Sequence, residues 1–337
     1  MRVNSMKTTI ELKIGGKNVE GAISRYVKSI NYREVIDGEA DTLELTLHDV
    51  EGLFIDKWYP PRNTSLELTL LDEEFNRLEL GEFVIDEVEN STPPSECKMK
   101  ATSIPPGSAA KNVERSRSWE DVTLSRIARD IAASAGLMPV FDSSDDPHYD
   151  RIEQSEQSDL KFLHKLCRDA GLAMKVNDTK LIVFEYERYE KRSSVATLAR
   201  HLIKRFSGRQ TLNEVYSDCK VSYKSGAKGE MITGSAGGTS FLSGILGGSG
   251  GGKTLKINKK VSSEAEASRL AKKKLREKNR EECTVNVTMV GDFRCRAGAN
   301  ITLDGYGAYD GKYSINKATH AVDSGGYTTT LELKKCG

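Results

Sequence analysis

Two alternating stretches, Asp41-Thr-Leu-Glu-Leu-Thr-Leu-His48 and Thr64-Ser-Leu-Glu-Leu-Thr-Leu70, decide the fold class of the first hundred residues. In each of them leucine occupies every second position and the residues between are polar or charged. Because successive side chains of a strand point to opposite faces, this pattern predicts antiparallel strands with one face on a core. Leu78 to Val88 continues the pattern, and Gly15-Gly16 predicts a hairpin turn. The N-terminal region is therefore predicted to be a β-barrel or a β-sandwich.

The middle of the chain has helical periodicity. Ser118 to Ala135 and Ser158 to Ala170 carry apolar residues three and four positions apart, which predicts two amphipathic helices with Ser118 and Ser158 as N-caps. Gly136-Leu137 and Gly171-Leu172 follow these helices and are typical of helix C-termini. Each helix leads into a short apolar strand, so this region is predicted to be a small α+β domain of two similar halves.

Strand patterns return in the last third of the chain, in four segments: Thr284 to Val290, Asn300 to Leu303, Lys312 to Ile315 and Tyr327 to Leu333. A Gly/Ser-rich loop is predicted at 226–252, and a helix with the capping box Ser263-x-x-Glu266 at 263–282.

The predicted class is α+β, mainly β, with two β-barrel or β-sandwich domains flanking a small α+β domain. Pro93-Pro94 and Pro105-Pro106-Gly107 predict the first border. The predicted domains are 1–104, 105–204 and 205–337.

Composition excludes several classes of protein. Lys+Arg 50 against Asp+Glu 49 gives a net charge of +1, so a polybasic, sequence-specific nucleic-acid binder is not expected. Hydrophobic residues at 37% are enough for buried cores. No apolar run approaches the roughly 20 residues of a spanning helix, and no secretory signal opens the sequence, so neither membrane insertion nor export is expected. The six cysteines form no C-x-x-C pair, which is typical of reduced, structural thiols.

The even charge balance hides an uneven distribution. Residues 1–96 hold 10 Lys/Arg and 20 Asp/Glu, whereas residues 97–337 hold 40 and 29. Either each part has its own solvated surface, or acidic and basic surfaces of different copies or domains meet during assembly. The sequence leaves both interpretations open.

One segment matches a nucleotide-binding motif. Gly247-Gly-Ser-Gly-Gly-Gly-Lys-Thr254 satisfies the string G-x-x-x-x-G-K-[ST], but a strand-like alternation follows it where a phosphate-binding loop needs a helix. A mobile loop is the favoured interpretation, and a P-loop NTPase remains an alternative. The same loop contains four apolar residues, for which the hypothesis is docking on a partner or on symmetry mates: Phe241, Leu242, Ile245 and Leu246.

Other candidates for chemistry are weaker. His164 and Cys167 share one helix without a second ligand pair, so core packing is favoured over zinc. His320 is predicted to lie on a strand face. The adjacent carboxylates Asp145-Asp146 and Glu281-Glu282 make poor acid/base pairs. No catalytic residue, cofactor or metal is predicted.

The segment Gln157-Ser-Asp-Leu-Lys-Phe-Leu-His-Lys-Leu-Cys-Arg-Asp-Ala-Gly-Leu172 resembles the S-D-[LF]-x-F-L-x-x-L-x-x-x-x-G-[LI] element of the phage late control D family of tail hub proteins. That family is related to the hub part of type VI secretion spike proteins. The run Ala297 to Ile315, with His320 and Gly326 to Leu333, is also similar to it. The resemblance covers essentially the whole chain.

The resemblance implies a non-enzymatic baseplate or tail hub of a contractile phage or a phage-tail-like bacteriocin. Members form a trimeric ring between the sixfold tail tube and the threefold spike, and each chain contributes two tube-like β domains. The implied partners are further copies of the chain, the tail tube protein and the spike protein, with the tape measure and baseplate wedge proteins as further candidates.

Such a hub is assembled in the cytoplasm of the bacterial host and becomes part of the virion tail or tail-like particle. Because the chain ends soon after its last predicted strand, the spike and any lysozyme-like activity are expected on separate chains. A peptidoglycan-acting tail protein is the second alternative.

Overall fold

The computed structural model describes residues 8–19, 23–61, 63–74, 76–104, 108–177, 179–211, 215–224, 231–237, 253–261 and 263–336. The predicted border at Pro105-Pro106-Gly107 lies outside these residues.

Seven strands form the first β module: β1 (Thr9–Ile14), β2 (Lys17–Asn18), β3 (Val27–Val35), β4 (Thr42–His48), β5 (Ser65–Leu71), β6 (Arg77–Ser91) and β7 (Glu96–Thr102). Their order is β3-β4-β7-β6-β5-β1-β2 with every pair antiparallel. The alternating leucines of β4 and β5 face one core and are at most 2% exposed, as predicted. The Gly15-Gly16 hairpin is also confirmed. Pro93-Pro94 is not a border, because it lies in the turn between β6 and β7.

The α/β insert follows, with these elements: α1 (Ala109–Asn112), β8 (Glu114–Thr123), α2 (Leu124–Ser134), β9 (Met138–Asp142), β10 (His148–Ser158), α3 (Asp159–Asp169), β11 (Ala173–Asn177), β12 (Lys180–Phe184) and α4 (Tyr186–Glu190). Helices α2 and α3 bury their predicted apolar faces in one core with the sheet β11-β12-β9. Gly136 and Gly171 end them at φ +70° and +69°, as C′ glycines do.

The predicted start of the first helix at Ser118 is wrong. Residues up to Thr123 belong to β8, and the helix begins at Leu124. Trp119 pairs with Ile152 of β10, so a partner strand distant in sequence overrides the local helical pattern. The start of α3 after Ser158 is confirmed.

The remaining elements are β13 (Ser194–Ala199), β14 (Ile203–Gln210), β15 (Tyr216–Lys224), β16 (Met231–Gly237), β17 (Lys253–Asn258), α5 (Glu264–Asn279), β18 (Cys283–Val290), β19 (Asn300–Asp304), β20 (Gly311–Asp323) and β21 (Gly326–Lys335). Strands β13, β14 and β18 to β21 form the second β module. Strands β15 to β17 form a separate sheet that packs against α5, and together they make a side unit with its own core.

Two predictions in the side unit need correction. The segment 226–252 is not one continuous loop, because β16 lies within it and pairs with β15. Gly234 of β16 is required there, since a Cβ would lie 2.3 Å from the amide nitrogen of Ser268 in α5. Helix α5 ends at Asn279, three residues before the predicted end, while the capping bond from the Glu266 amide to Ser263 Oγ is present at 3.2 Å.

The two β modules have the same strand order. Leaving aside the short β2, each module has six strands, and numbered along the chain they lie side by side as 2-3-6-5-4-1 in both. The direction of the first strand differs, because β1 is antiparallel to β5 whereas β13 is parallel to β19. Strand β3 pairs with β20, so the modules join in one 13-stranded sheet. The predicted fold class is confirmed; the domain boundaries stay a prediction.

Candidate functional site

One face of the joined sheet is polar across both modules. A row of paired residues crosses nine strands, from β5 to β14: Ser65, Val84, Thr102, Thr42, Arg33, Thr319, Thr330, Thr288 and Arg205. None of these nine is buried. The neighbouring row points to the opposite face and is buried: Ala101, Leu43, Tyr32, His320, Thr329 and Met289. The sheet therefore has a continuous water-facing surface that does not stop at the module junction.

Charges on this polar face are paired locally. Lys98 Nζ lies 3.0 Å from Glu44 Oε1, Lys100 Nζ lies 2.8 Å from Glu87 Oε2, and Lys317 Nζ lies 2.7 Å from Glu332 Oε1. The Thr288 and Thr330 hydroxyls hydrogen-bond at 3.0 Å. Because each of these lysines is matched by a carboxylate, this part of the surface is hydrophilic without a strong field of one sign.

A buried ionic cluster lies where the first β module, the insert and the second β module meet. Lys175 Nζ of β11 is 3.2 Å from Glu34 Oε1 of β3 and 3.2 Å from Asp41 Oδ2. Arg296, from the loop before β19, places Nη2 3.4 Å from Glu34 Oε1, and the Ala297 amide donates to Glu34 Oε2 at 3.1 Å. This junction cluster (Glu34, Asp41, Lys175 and Arg296) ties three parts of the chain together.

The two carboxylates of the junction cluster differ in their acidity. Burial opposes ionisation of Glu34, but Lys175 and Arg296 together outweigh it and the pKa of Glu34 is lowered. Burial raises the pKa of Asp41 to about 6, although Lys175 acts in the opposite direction. Asp41 also accepts the Val35 amide at 2.9 Å. Since both carboxylates bind groups of the protein itself, their role is to hold the junction.

None of the four residues of the junction cluster was predicted from the sequence, although the position of Glu34 is a recognisable signal. It follows Ile30 and Tyr32 at spacing two, so it is an acid on the apolar face of a strand. Its partners lie 141 and 262 positions away along the chain.

Asp159, at the start of α3, is a second buried acid. It accepts hydrogen bonds from Arg117 Nη2 at 2.7 Å and from Gln154 Nε2 at 2.9 Å, and its side chain is fully buried. Three positions on, Phe162 stacks on Trp119 of β8 with ring centroids 5.4 Å apart. Asp159 and Phe162 belong to the element that carried the family resemblance, and both attach the two-stranded sheet β8–β10 to α3.

The other predicted residues lie in structural contacts. His164 Nε2 is 3.5 Å from Asp37 Oδ1, and Cys167 is buried in the insert core. Asp146 accepts the Ser125 amide at 2.9 Å, while Asp145 pairs with Lys273 at 3.0 Å. Glu281 pairs with Lys334. Within the described part of the chain, no group of three His, Cys, Asp or Glu side chains could hold a metal ion.

His320 lies on the buried face of β20, as predicted. Its Nδ1 is 2.6 Å from the Tyr327 hydroxyl, and its ring stacks on Tyr32 across the module junction with centroids 5.9 Å apart. Burial lowers the pKa of His320 to about 4, so the ring is neutral at physiological pH.

The segment 247–254, which matches the nucleotide-binding motif, is only partly within the described residues. Lys253 and Thr254 begin β17, which lies parallel to β15, and the next helix starts at Glu264. The strand after the motif gives phosphate no helix N-terminus. Residues 247–252 lie outside the described residues, as do Phe241, Leu242, Ile245 and Leu246, whose role in docking stays a prediction.

Two of the buried thiols, those of Cys97 and Cys295, are not activated nucleophiles. Burial raises the pKa of Cys97 to about 11 and that of Cys295 to about 12. A thiol held in its neutral form is a poor nucleophile. Within the residues that the structure describes, none of the helices has both the length and the apolar character needed to cross a bilayer.

Comparison with known proteins identifies relatives of this chain. A family model described as YQBQ-like matches residues 252–334. The probable baseplate hub protein of Escherichia phage P2 is 30% identical over 175 residues, which are 51% of this chain and 43% of that protein. The match thus spans less than half the length of this curated relative.

Solved structures share the fold over nearly the whole chain. The tail protein from Neisseria meningitidis MC58 has a TM-score of 0.70 at 14% identity, covering 97% of this chain and 96% of that one. The Escherichia coli c3393 protein, a type VI secretion component described as similar to the T4 tail proteins gp27 and gp5, has a TM-score of 0.60 at 13% identity, covering 96% and 76%.

The fold is thus that of phage tail and injection-machine proteins. The resemblance to the baseplate hub family is confirmed: the chain is similar to a phage baseplate hub protein in sequence and to tail proteins in structure. These relatives are named for structural parts of phage tails and related machines.

Proposed function

We propose that the chain is a non-enzymatic hub of a contractile phage tail or a phage-tail-like bacteriocin, in which three copies form a ring. The ring adapts a sixfold tail tube to a threefold spike. The observation that carries this proposal is the shared 2-3-6-5-4-1 strand order of two modules in one sheet. A chain with two equivalent modules lets a threefold ring present six similar surfaces.

The polar face of the sheet supports the same proposal. Six modules in a ring would place this face around a central channel, with the apolar faces packed on their cores. A wall of threonines and mostly paired charges remains hydrated and carries no strong field of one sign over most of its width, so a solvated cargo could pass without being bound. The proposed neighbours are the tail tube protein on one side and the spike protein on the other, with tape measure and baseplate wedge proteins nearby.

Light scattering on the purified chain, alone and mixed with its tail tube and spike proteins, tests the proposal. We expect a mass of three chains and a stable complex with each of the two proteins. A hexamer, or a failure to bind either protein as a trimer, would contradict it. ATP binding by the wild type but not by Lys253→Ala would favour the P-loop alternative, and a cleared band in a peptidoglycan zymogram would favour the enzymatic one.

A further inference from the structure

We propose that the second half of β6 pairs with β14 of another copy, antiparallel, and that this contact between chains repeats the contact between β20 and β3 within one chain. This inference rests on the proposed ring, and it names the strands, the register and the charges that would close it.

The two modules are equivalent residue by residue along these strands. Pairing of β6 with β7 is interrupted by a bulge between Ile85 and Glu87, and pairing of β20 with β21 by a bulge between Ile315 and Lys317. Immediately after each bulge stands an ion pair across the strands, Glu87–Lys100 in the first module and Lys317–Glu332 in the second. Glu87 is thus the equivalent of Lys317 with the charge reversed.

Strands β3 and β14 are equivalent in the same way. Each has a bulge near its start, between Val27 and Ser29 in β3 and between Ile203 and Arg205 in β14. Aligning these bulges makes Arg209 the equivalent of Arg33 and Ser207 the equivalent of Asn31. The register of the β20–β3 contact can therefore be transferred to β6 and β14.

Both strands have an open edge where the transferred contact would form. The first half of β20 pairs with β19 through Gly311–Ser314, and its second half pairs with β3. Likewise β5 pairs with β6 only as far as Val84, and on that side no strand in the described parts of the chain pairs with residues 86–91. Among the described strands, β14 ends the sheet and pairs with β18 alone. An open edge is a template for another strand.

Charge selects which edges meet. The open half of β6 carries Asp86, Glu87 and Glu89, whereas β14 carries three exposed bases, Lys204, Arg205 and Arg209. In the β20–β3 contact, Thr319 pairs with Arg33. Glu89 is the equivalent of Thr319 and Arg209 is the equivalent of Arg33, so the transferred register places Glu89 opposite Arg209 of the next copy. Pairing of β6 with β6, or of β14 with β14, would instead oppose like charges, so charge favours a head-to-tail contact, which is the kind of contact that a closed ring of copies requires.

Apolar surface beside these edges would be covered by the same contact. The loop between strands three and four of the second module, at 291–299, packs against the first module through Arg296. The equivalent loop of the first module lies between β4 and β5 and exposes Val50 at 84%, Ile55 at 60% and Tyr59 at 51%. Leu202, next to the start of β14, is 47% exposed. Each of these surfaces would face the next copy.

Cysteine pairs test the register directly. In the β20–β3 contact, Ala321 pairs with Asn31. Ser91 is the equivalent of Ala321 and Ser207 is the equivalent of Asn31, so these two serines would lie opposite each other in neighbouring copies. In a Cys336→Ser background, Ser91→Cys with Ser207→Cys should form disulfides under mild oxidation, because paired residues of neighbouring strands have suitable Cα separations. Within one chain, β6 and β14 are seven strand spacings apart, roughly 34 Å along the sheet, so the bond must join chains. Asn31→Cys with Ala321→Cys is the matched control and should close within one chain.

We expect a covalent trimer on a non-reducing gel, and no cross-link from either single cysteine. We also expect Glu89→Arg and Arg209→Glu each to raise the dissociation constant of the assembly about tenfold, and the double variant to restore it. A trimer by light scattering without the Ser91–Ser207 cross-link overturns this inference and leaves the proposed function standing. A covalent ring of another size supports the edge pairing and contradicts the trimer. A wild type that stays monomeric and an unlinked double cysteine variant overturn both.

Discussion

The two β modules share a strand order but differ at their second strand. In the first module this strand, β3, is covered by β20 and holds Tyr32 and Glu34 in the junction. In the second module the edge of the corresponding strand, β14, is open within the described part of the chain, and the strand has no equivalent acid, since its residues there are Arg209 and Gln210. The connection after this strand also differs, being the short segment 36–41 in one module and the side unit in the other. One scaffold thus serves both as a closed junction and as an open edge.

Removing the positive charge of Lys175, at the centre of the junction cluster, should cause the largest loss of stability. Lys175→Met leaves Glu34 and Asp41 buried and short of a cation, so we expect the free energy of unfolding to fall by about 3–5 kcal/mol. Urea unfolding followed by circular dichroism measures it. Lys98→Met, which breaks a half-exposed pair on the polar face, is the control and should cost less than about 1 kcal/mol. Adding Asp41→Asn to Lys175→Met should recover part of the loss. Equal effects of Lys175→Met and Lys98→Met would show that the junction cluster does not stabilise the fold.

The second largest loss of stability is expected from a substitution in the insert. Asp159→Ala removes the buried acceptor of Arg117 and Gln154, and we expect a loss of about 2–3 kcal/mol together with a changed fluorescence of Trp119, which stacks on Phe162. Asp150→Asn is the matched control, because its ion pair with Lys260 is exposed. If Asp159→Ala unfolds like the wild type, the β8–β10 sheet is not held by this acid.

Acid should affect the junction through His320. Its pKa is about 4 in the folded chain against an ordinary 6.5, so unfolding takes up a proton between these values and stability falls as the pH decreases from 6.5 to 4. We expect the stability advantage of the wild type over His320→Gln to shrink by about 3 kcal/mol across this window. Asp41 works in the opposite direction, since its folded pKa of about 6 lies above the ordinary 3.8, but it is present in both proteins and cancels. A constant difference between the two proteins would contradict a buried, neutral imidazole.

The smallest loss of stability is expected from breaking an ion pair on the polar face, and this loss should be nearly equal in the two modules. Glu87–Lys100 and Lys317–Glu332 occupy equivalent positions on the polar face. Lys100→Met and Lys317→Met should each change the free energy of unfolding by less than about 1 kcal/mol, and by the same amount within a few tenths. Unequal effects would indicate that the modules are equivalent in strand order but not in surroundings.

Local patterns predicted most of the elements, but not how they are joined. Alternation located β4, β5, β18 and β21, and the Gly-Leu pairs located the ends of α2 and α3, because these depend on neighbouring residues. The pairing of β3 with β20 joins residues almost three hundred positions apart, and no periodicity in the sequence of either strand indicates its partner. The misassigned Ser118 and the missed β16 have another reason: both segments pair with a neighbouring strand, β10 and β15 respectively, and this pairing overrides their local composition.

End-on images of the purified assembly would show whether two equivalent modules per chain build one ring. We expect a strictly threefold particle whose inner wall shows six similar lobes around an open channel, with adjacent lobes joined alternately within and between chains. A threefold particle with only three such lobes, or one whose second module lies away from the channel, would contradict it.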